Sequence, residues 1–206
     1  MGRRTARDVH EGTVALSDAQ ILKAAKRIIA EVGVDGLTMR RLHDELGVAL
    51  GATYYYVPTK HDLLVKVGTD LYTDIELPDA DEVGWEQWVR SMMTQLVASV
   101  SAYPGMAAYL MNHFVEVFPA DLNGRMIDVL TKAGFSPGST IRVMTALTFF
   151  GAGASAIGVP DAPAAGFAEL DAAKLFADGL DLILSGARLL LEEDRPAAKR
   201  KLRRTR

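Results

Sequence analysis

Apolar residues recur every three to four positions along most of the chain, and no stretch of useful length alternates with the period of a strand. The pattern predicts an all-α fold. Ser17 stands as an N-cap with Gln20 three residues on, a capping box, and Leu16 and Ile21 flank it as a hydrophobic staple. Ile21/Leu22, Ala25, Ile28/Ile29 and Val32 form one stripe, which Gly33 can end. A second, short helix starts from Thr38 and stops at Gly47, with Leu42 and Leu46 inward and Arg40 and Arg41 in its first turn. A third, "ALGATYYY", is broken by Pro58. Thr59 and Asp62 cap a fourth, whose Leu64, Val67, Leu71 and Ile75 extend it to about Glu76, before Pro78. Five more helices are expected at about 82–102, 104–117, 120–133, 137–157 and 168–193, separated by proline- and glycine-bearing turns.

This punctuation divides the chain into a flexible basic arm (1–15), a three-helix head (16–66), a larger helical body (67–194) and a basic tail (195–206). Charge follows the same division. The head with its arm holds ten Lys and Arg against eight Asp and Glu, the body six against eighteen, and the tail seven against none. A basic head on an acidic body suggests that the head, with or without the tail, approaches a polyanion. The tail can equally be a solvated charge run.

Two short helices joined by a tight turn and braced by a longer one describe a helix-turn-helix. The second of the pair, "ALGATYYY", would enter a major groove, where Leu50 or Ala52 could meet thymine methyls. Three adjacent tyrosines point in three directions around a helix, so at least one ring meets something other than the core.

The runs "GLTMRRLHDELGV" and "ALGATYYYVPTKHDLL" resemble the DNA-binding head of the TetR-type transcriptional regulators. Leu37, Thr38, Leu42, Leu46, Gly47, Val48, Gly51, Tyr54, Lys60, Leu63 and Leu64 keep that family's spacing. The resemblance implies that Thr38, Tyr54 and Lys60 bind phosphates, that Arg40, Leu50 and Tyr55 lie toward base edges, and that Tyr56 contacts backbone or bases. Ala52, Thr53 and Val57 depart from the usual Thr, Leu and Phe. It further implies a homodimer, most often a repressor, that leaves a palindromic DNA operator when a small effector binds the body.

In the body, Trp88, Met92, Met106, Tyr109, His113 and Phe149 are candidates for an apolar effector pocket, since methionines and aromatics line such pockets and also fill any core. His113 could orient a ligand or be an ordinary core or surface histidine. Thr148, Gly151 and Ala152, with Leu175, Gly179, Leu182, Gly186 and Leu189, form small-residue and leucine stripes suited to a symmetric four-helix dimer interface, or to intrachain core. In tetracycline-binding relatives a histidine near the start of the sixth helix helps hold the drug's magnesium; the closest positions here are Tyr103 and Pro104, so no metal-chelated tetracycline is expected. Rival readings keep the head with a body that senses nothing, or make the chain a helical interaction module.

With 49% hydrophobic residues the chain can bury a substantial core, yet no run of about 18 apolar residues suggests a membrane span. The N-terminus lacks a signal peptide's apolar stretch, and there are no cysteines, which suits a cytoplasmic protein. His10, His43, His61 and His113 lack metal-ligand spacing along the sequence. No HExxH, GxSxG or GxxxxGK[ST] motif occurs, so neither an enzyme nor a cofactor or metal site is expected.

Overall fold

A computed structural model describes residues 16–48, 50–157 and 171–204. The expected basic arm, residues 1–15, lies outside the described residues. Among those described there are ten helices and no strand: α1 (Asp18–Gly36), α2 (Met39–Leu46), α3 (Leu50–Tyr56), α4 (Lys60–Asp70), α5 (Ala80–Ser101), α6 (Met106–Asn112), α7 (Phe114–Val117), α8 (Ala120–Ala133), α9 (Pro137–Ile157) and α10 (Ala172–Arg204). None of them is long and apolar enough to cross a membrane.

The caps act where the sequence places them. The Ser17 hydroxyl accepts the Gln20 N–H at 3.3 Å while the Gln20 side chain accepts the Ser17 N–H at 2.9 Å. The Thr38 hydroxyl accepts from Arg41 N at 3.1 Å, and Gly47 ends α2 in the left-handed region. The Thr59 hydroxyl accepts from Asp62 N at 3.1 Å and donates to its carboxylate at 2.7 Å. These bonds satisfy amides that the first turn of a helix leaves free.

Three boundaries differ from the periodicity. The fourth helix ends at Asp70, not near Glu76. Beyond Thr69 the ladder tightens, with Tyr72 N bonding Thr69 O and Thr73 N bonding Asp70 O, both at 3.2 Å, while the hydroxyls of Thr69 and Thr73 bond carbonyls one turn back. The expected 104–117 helix breaks at His113 (φ −122°, ψ 26°) into α6 and α7. The last helix begins at Ala172 rather than 168 and runs through Arg204, so the backbone of the basic tail is helical up to that residue.

The core is one continuous cluster. It runs from Ile21 and Ile28 of α1, through Leu63 and Val67 of α4, to Trp88 in α5, Leu130 in α8, Leu147 in α9 and Leu180 in α10. Head and body meet at two close approaches. At the first, Gly33 interrupts α1 with φ 73°, which frees the Val34 N–H from the helical ladder; that N–H bonds Pro104 O at 2.9 Å. Gly105, also at positive φ, brings the chain so near that a Cβ there would lie 3.2 Å from the Val34 Cβ. At the second, α4 crosses the α6–α7 region over Gly68. A Cβ at Gly68 would lie 2.6 Å from Val117 Cγ1 and 2.7 Å from Leu110 Cδ2.

Farther on, the Asp194 carboxylate accepts the Ser136 N–H at 2.8 Å and ties α10 to the start of α9. That bond, helped by the neighbouring hydroxyls, lowers the carboxyl's pKa against the opposing effect of burial. The stability it contributes is therefore present at neutral pH and is lost as pH falls through the lowered value.

Two glycines should respond oppositely to substitution. Gly68→Val overpacks the α4 crossing and should lower the unfolding free energy by about 1–3 kcal/mol. Gly124→Ala, within α8 where an added Cβ meets nothing within 4 Å, should raise it by about 0.5–1 kcal/mol. Urea denaturation of both variants checks the pair, and a Gly68→Val variant as stable as the parent would refute the close packing.

Candidate nucleic-acid interface and body cavity

α3 is held by a short inward face. Thr53 and Val57 are fully buried, and Tyr56 is half-buried against the core. Lys66 reaches back from α4 to the Tyr56 carbonyl at 3.3 Å and to Asp18 of α1 at 2.9 Å, so three helices fix the orientation of α3. Its other face is bare. Gly51, Ala52, Tyr54 and Tyr55 are all exposed, and a Cβ at Gly51 would meet nothing within 4 Å. Tyr55 is 86% exposed, and Tyr54 rests its ring edge on buried His43 at 5.4 Å between centroids. The three tyrosines thus divide: one half in the core, one on a neighbouring ring, one free. Leu50 lies in α3, but its side chain falls outside the described residues.

Around this face stand the capped starts of two helices. Thr38 and Arg40, at the start of α2, are exposed; Lys60, the first residue of α4, is half-buried. Hydroxyls, cations and helix N-termini are the groups that hold phosphate oxygens.

In the body, α5, α6, α8 and α9 enclose a cavity of about 70 Å³. Met92, Met93, Met111 and Met126 line it with Leu110, Phe114, Phe118 and Leu147, and Tyr72 closes the end nearest α4. The polar side chains in the lining are few: Tyr72, Thr148 and Ser155. Burial raises the Tyr72 phenol to about 12, so it stays a neutral hydroxyl.

Of the six residues expected at this cavity, Met92 alone lines it. Trp88 is buried in the core beneath Arg125, 5.9 Å from its ring, and Met106 is likewise fully buried. Tyr109 and His113 lie outside this lining, with their rings against His61. Phe149 is 65% exposed, on the opposite face of α9.

The expected dimer residues also separate. Thr148, Gly151 and Ala152 line the cavity, and Gly179 packs within the chain, where a Cβ would lie 2.7 Å from the Phe150 ring. Leu175, Leu182, Gly186 and Leu189 do face outward on α10, Leu182 being 76% exposed. Ile141 and Phe149 of α9 are exposed as well, so two adjacent helices carry large uncovered apolar side chains.

A further cluster went unread in the sequence. His61 from α4 meets His113 and Glu116 from the α6–α7 break, with ring centroids 4.9 Å apart. Residues this far apart in sequence give no spacing motif, so linear spacing could not exclude the grouping. Tyr109 binds its edge: its hydroxyl lies 2.9 Å from His61 Nδ1 and 3.2 Å from the His61 carbonyl. Burial, then the charges of Glu116 and Asp62, raise the Tyr109 phenol.

Residues 21–67 match the family model described as bacterial regulatory proteins, tetR family. The tetracycline repressor protein class D of Escherichia coli is 25% identical over 142 residues, which are 68% of this chain and 65% of that protein. The chain therefore matches just under two thirds of the length of this relative. Apo ActR from Streptomyces coelicolor has the same fold at 22% identity and a TM-score of 0.73, covering 88% of this chain and 99% of ActR. BioQ, in complex with its double-stranded DNA operator, does so at 19% identity and a TM-score of 0.63, covering 84% and 98%.

Removing the α2 cap isolates local order in the head from its surface chemistry. Thr38→Ala should cost about 1 kcal/mol in urea unfolding, whereas Arg40→Ala, an exposed change, should stay within about 0.5 kcal/mol of the parent.

Proposed function

We propose that this chain, whose residues 21–67 match the tetR-family model, is a TetR-type homodimeric repressor that binds an operator through its head and is released by a small, largely apolar effector. The observation that carries the reading is the bare face of α3, with Tyr55 86% exposed, in a head whose α2 and α4 both begin at hydroxyl-capped N-termini. In this reading Tyr54, Thr38 and Lys60 hold phosphates, and Arg40, Leu50, Gly51, Ala52, Tyr55 and Tyr56 lie along the bases and backbone of one half-site. The partner subunit's head takes the other half-site, so the operator is palindromic and its spacing follows the distance between the two α3 helices. The apolar residues left outward on α9 and α10 supply a self-complementary surface for that dimer. Such a regulator works in the cytoplasm, beside its operator.

Release needs an effector that binds the DNA-incompetent form more tightly than the competent one. The cavity, at about 70 Å³, is smaller than the roughly 150 Å³ that accepts a benzene ring in other proteins. A ring-sized effector would therefore enter by moving the walls. Leu110 is one of those walls and also the side chain lying against Gly68 of α4. Displacing it shifts the helix that carries Lys60, and through it the separation of the heads. ActR in complex with actinorhodin is a relative of the same fold with a small molecule bound.

Two measurements test this. Fluorescence anisotropy with DNA from beside the chain's own gene should give salt-sensitive binding that is selective over a scrambled duplex. Lys60→Ala should weaken both and reduce the salt slope by about 1, and Tyr55→Ala should cut the selectivity by about tenfold. Equal affinity for both duplexes at every site tried would refute operator recognition. Light scattering should report a dimer that Leu182→Glu converts to a monomer, and a monomeric parent would end the dimer reading.

A further inference from the structure

The chemistry beside the α4–α6 crossing is not explained by either the DNA face or the cavity. His61 Nε2 lies 3.1 Å from one oxygen of Glu116, and His113 Nδ1 lies 3.4 Å from the other. One atom from each of the three side chains can be chosen so that all lie within 4.8 Å of one another. Tyr109 sets the direction of the His61 ring. Its hydroxyl has one proton, and the His61 carbonyl, 3.2 Å away, can only accept it. The contact with His61 Nδ1 at 2.9 Å is then satisfied with Nδ1 as donor and the phenol oxygen as acceptor. With Nδ1–H used in this way, Nε2 faces a Glu116 oxygen at 3.1 Å, a contact that either a proton on Nε2 or a coordinated cation satisfies.

We propose that His61, His113 and Glu116 bind a divalent first-row transition ion of the zinc class, with Tyr109 as the positioning residue that orients His61. Two imidazoles and a carboxylate are a donor set such ions favour. The two histidine–carboxylate contacts, 3.1 and 3.4 Å, run to different oxygens of Glu116 and are close to the roughly 3.3 Å between ligand atoms on one tetrahedral zinc, so small side-chain rotations bring both nitrogens and one oxygen onto a single ion. The phenol accepting from Nδ1–H is the outer-shell bond that metal-bound histidines use to fix their tautomer. All three ligands are partly exposed, which gives the ion a path from solvent and leaves a coordination position for water.

The ligands come from both sides of the junction. His61 is the second residue of α4, and His113 and Glu116 flank the start of α7, so one ion would pin the helix that joins head to body. This holds whether or not the operator reading is right, and its test contains no DNA.

Zinc is titrated against a chromophoric chelator with the full chain at neutral pH, and thermal unfolding is followed with and without zinc. The parent should take up one zinc per chain at micromolar or lower dissociation constant, and its Tm should rise with zinc. His61→Ala and His113→Ala should each weaken binding at least tenfold and abolish the Tm rise. Tyr109→Phe, which keeps all three ligands, should weaken it about tenfold. Circular dichroism confirms that each variant remains helical, and Glu116→Gln serves as the conservative change should an alanine variant fail to fold. Binding that persists undiminished in the His61→Ala/His113→Ala double variant, or a parent that takes up no zinc at 100-fold the chain concentration, overturns the proposal.

Discussion

The seat of the head on the body rests first on one backbone bond, from Val34 N–H to Pro104 O. The bond exists because Gly33 leaves the helical region and strips Val34 of its own carbonyl partner, and a buried N–H left alone would cost on the order of 1–3 kcal/mol. Pro104 and Gly105 bring the required acceptor from the body. With Gly68 seated on Leu110 and Val117, this contact joins two groups of helices into one core. A head fixed by backbone as well as by side chains has few alternative seats on the body.

The punctuation was legible because caps are local. Ser17, Thr38, Gly47 and Thr59 each act on residues within one turn, and the structure finds them at those duties. The all-α architecture followed from the same signals. What the sequence hid was decided by partners far along the chain. α4 stops at Asp70 although Ile75 continues its stripe, since the threonine hydroxyls offer carbonyls a competing bond and Tyr72 is drawn against Phe118, 5.3 Å away. No periodicity within 104–117 announces the break at His113 or the packing of Tyr109 on His61 rather than in the cavity. The meeting of His61 with His113 and Glu116 depends on how α4 crosses α6, a tertiary fact without a linear signature.

α9 illustrates the same limit more sharply. Its small residues Gly151 and Ala152 read as a place for a second subunit's backbone, yet they give space to the cavity, with Met93 against Gly151. Its large residue Phe149, which read as pocket lining, faces outward, as does Ile141. A helix apolar all round has no polar stripe to tell its inner side from its outer side. Size alone was available, and size does not separate the two sides.

The lining of the cavity has a consequence for discrimination. Flexible thioethers reshape themselves around a guest, and an apolar wall separates compounds differing by one methylene by only about 1–3 kcal/mol. Sharp rejection of a near neighbour needs a buried polar group that the wrong compound leaves unpaired. Here the hydroxyl of Thr148 already donates to Met144 O at 2.9 Å, which leaves Tyr72 and Ser155 to provide that sieve. A guest of this cavity would be sorted mainly by bulk and apolarity, and only groups set opposite the hydroxyls of Tyr72 and Ser155 would be held to a strict standard.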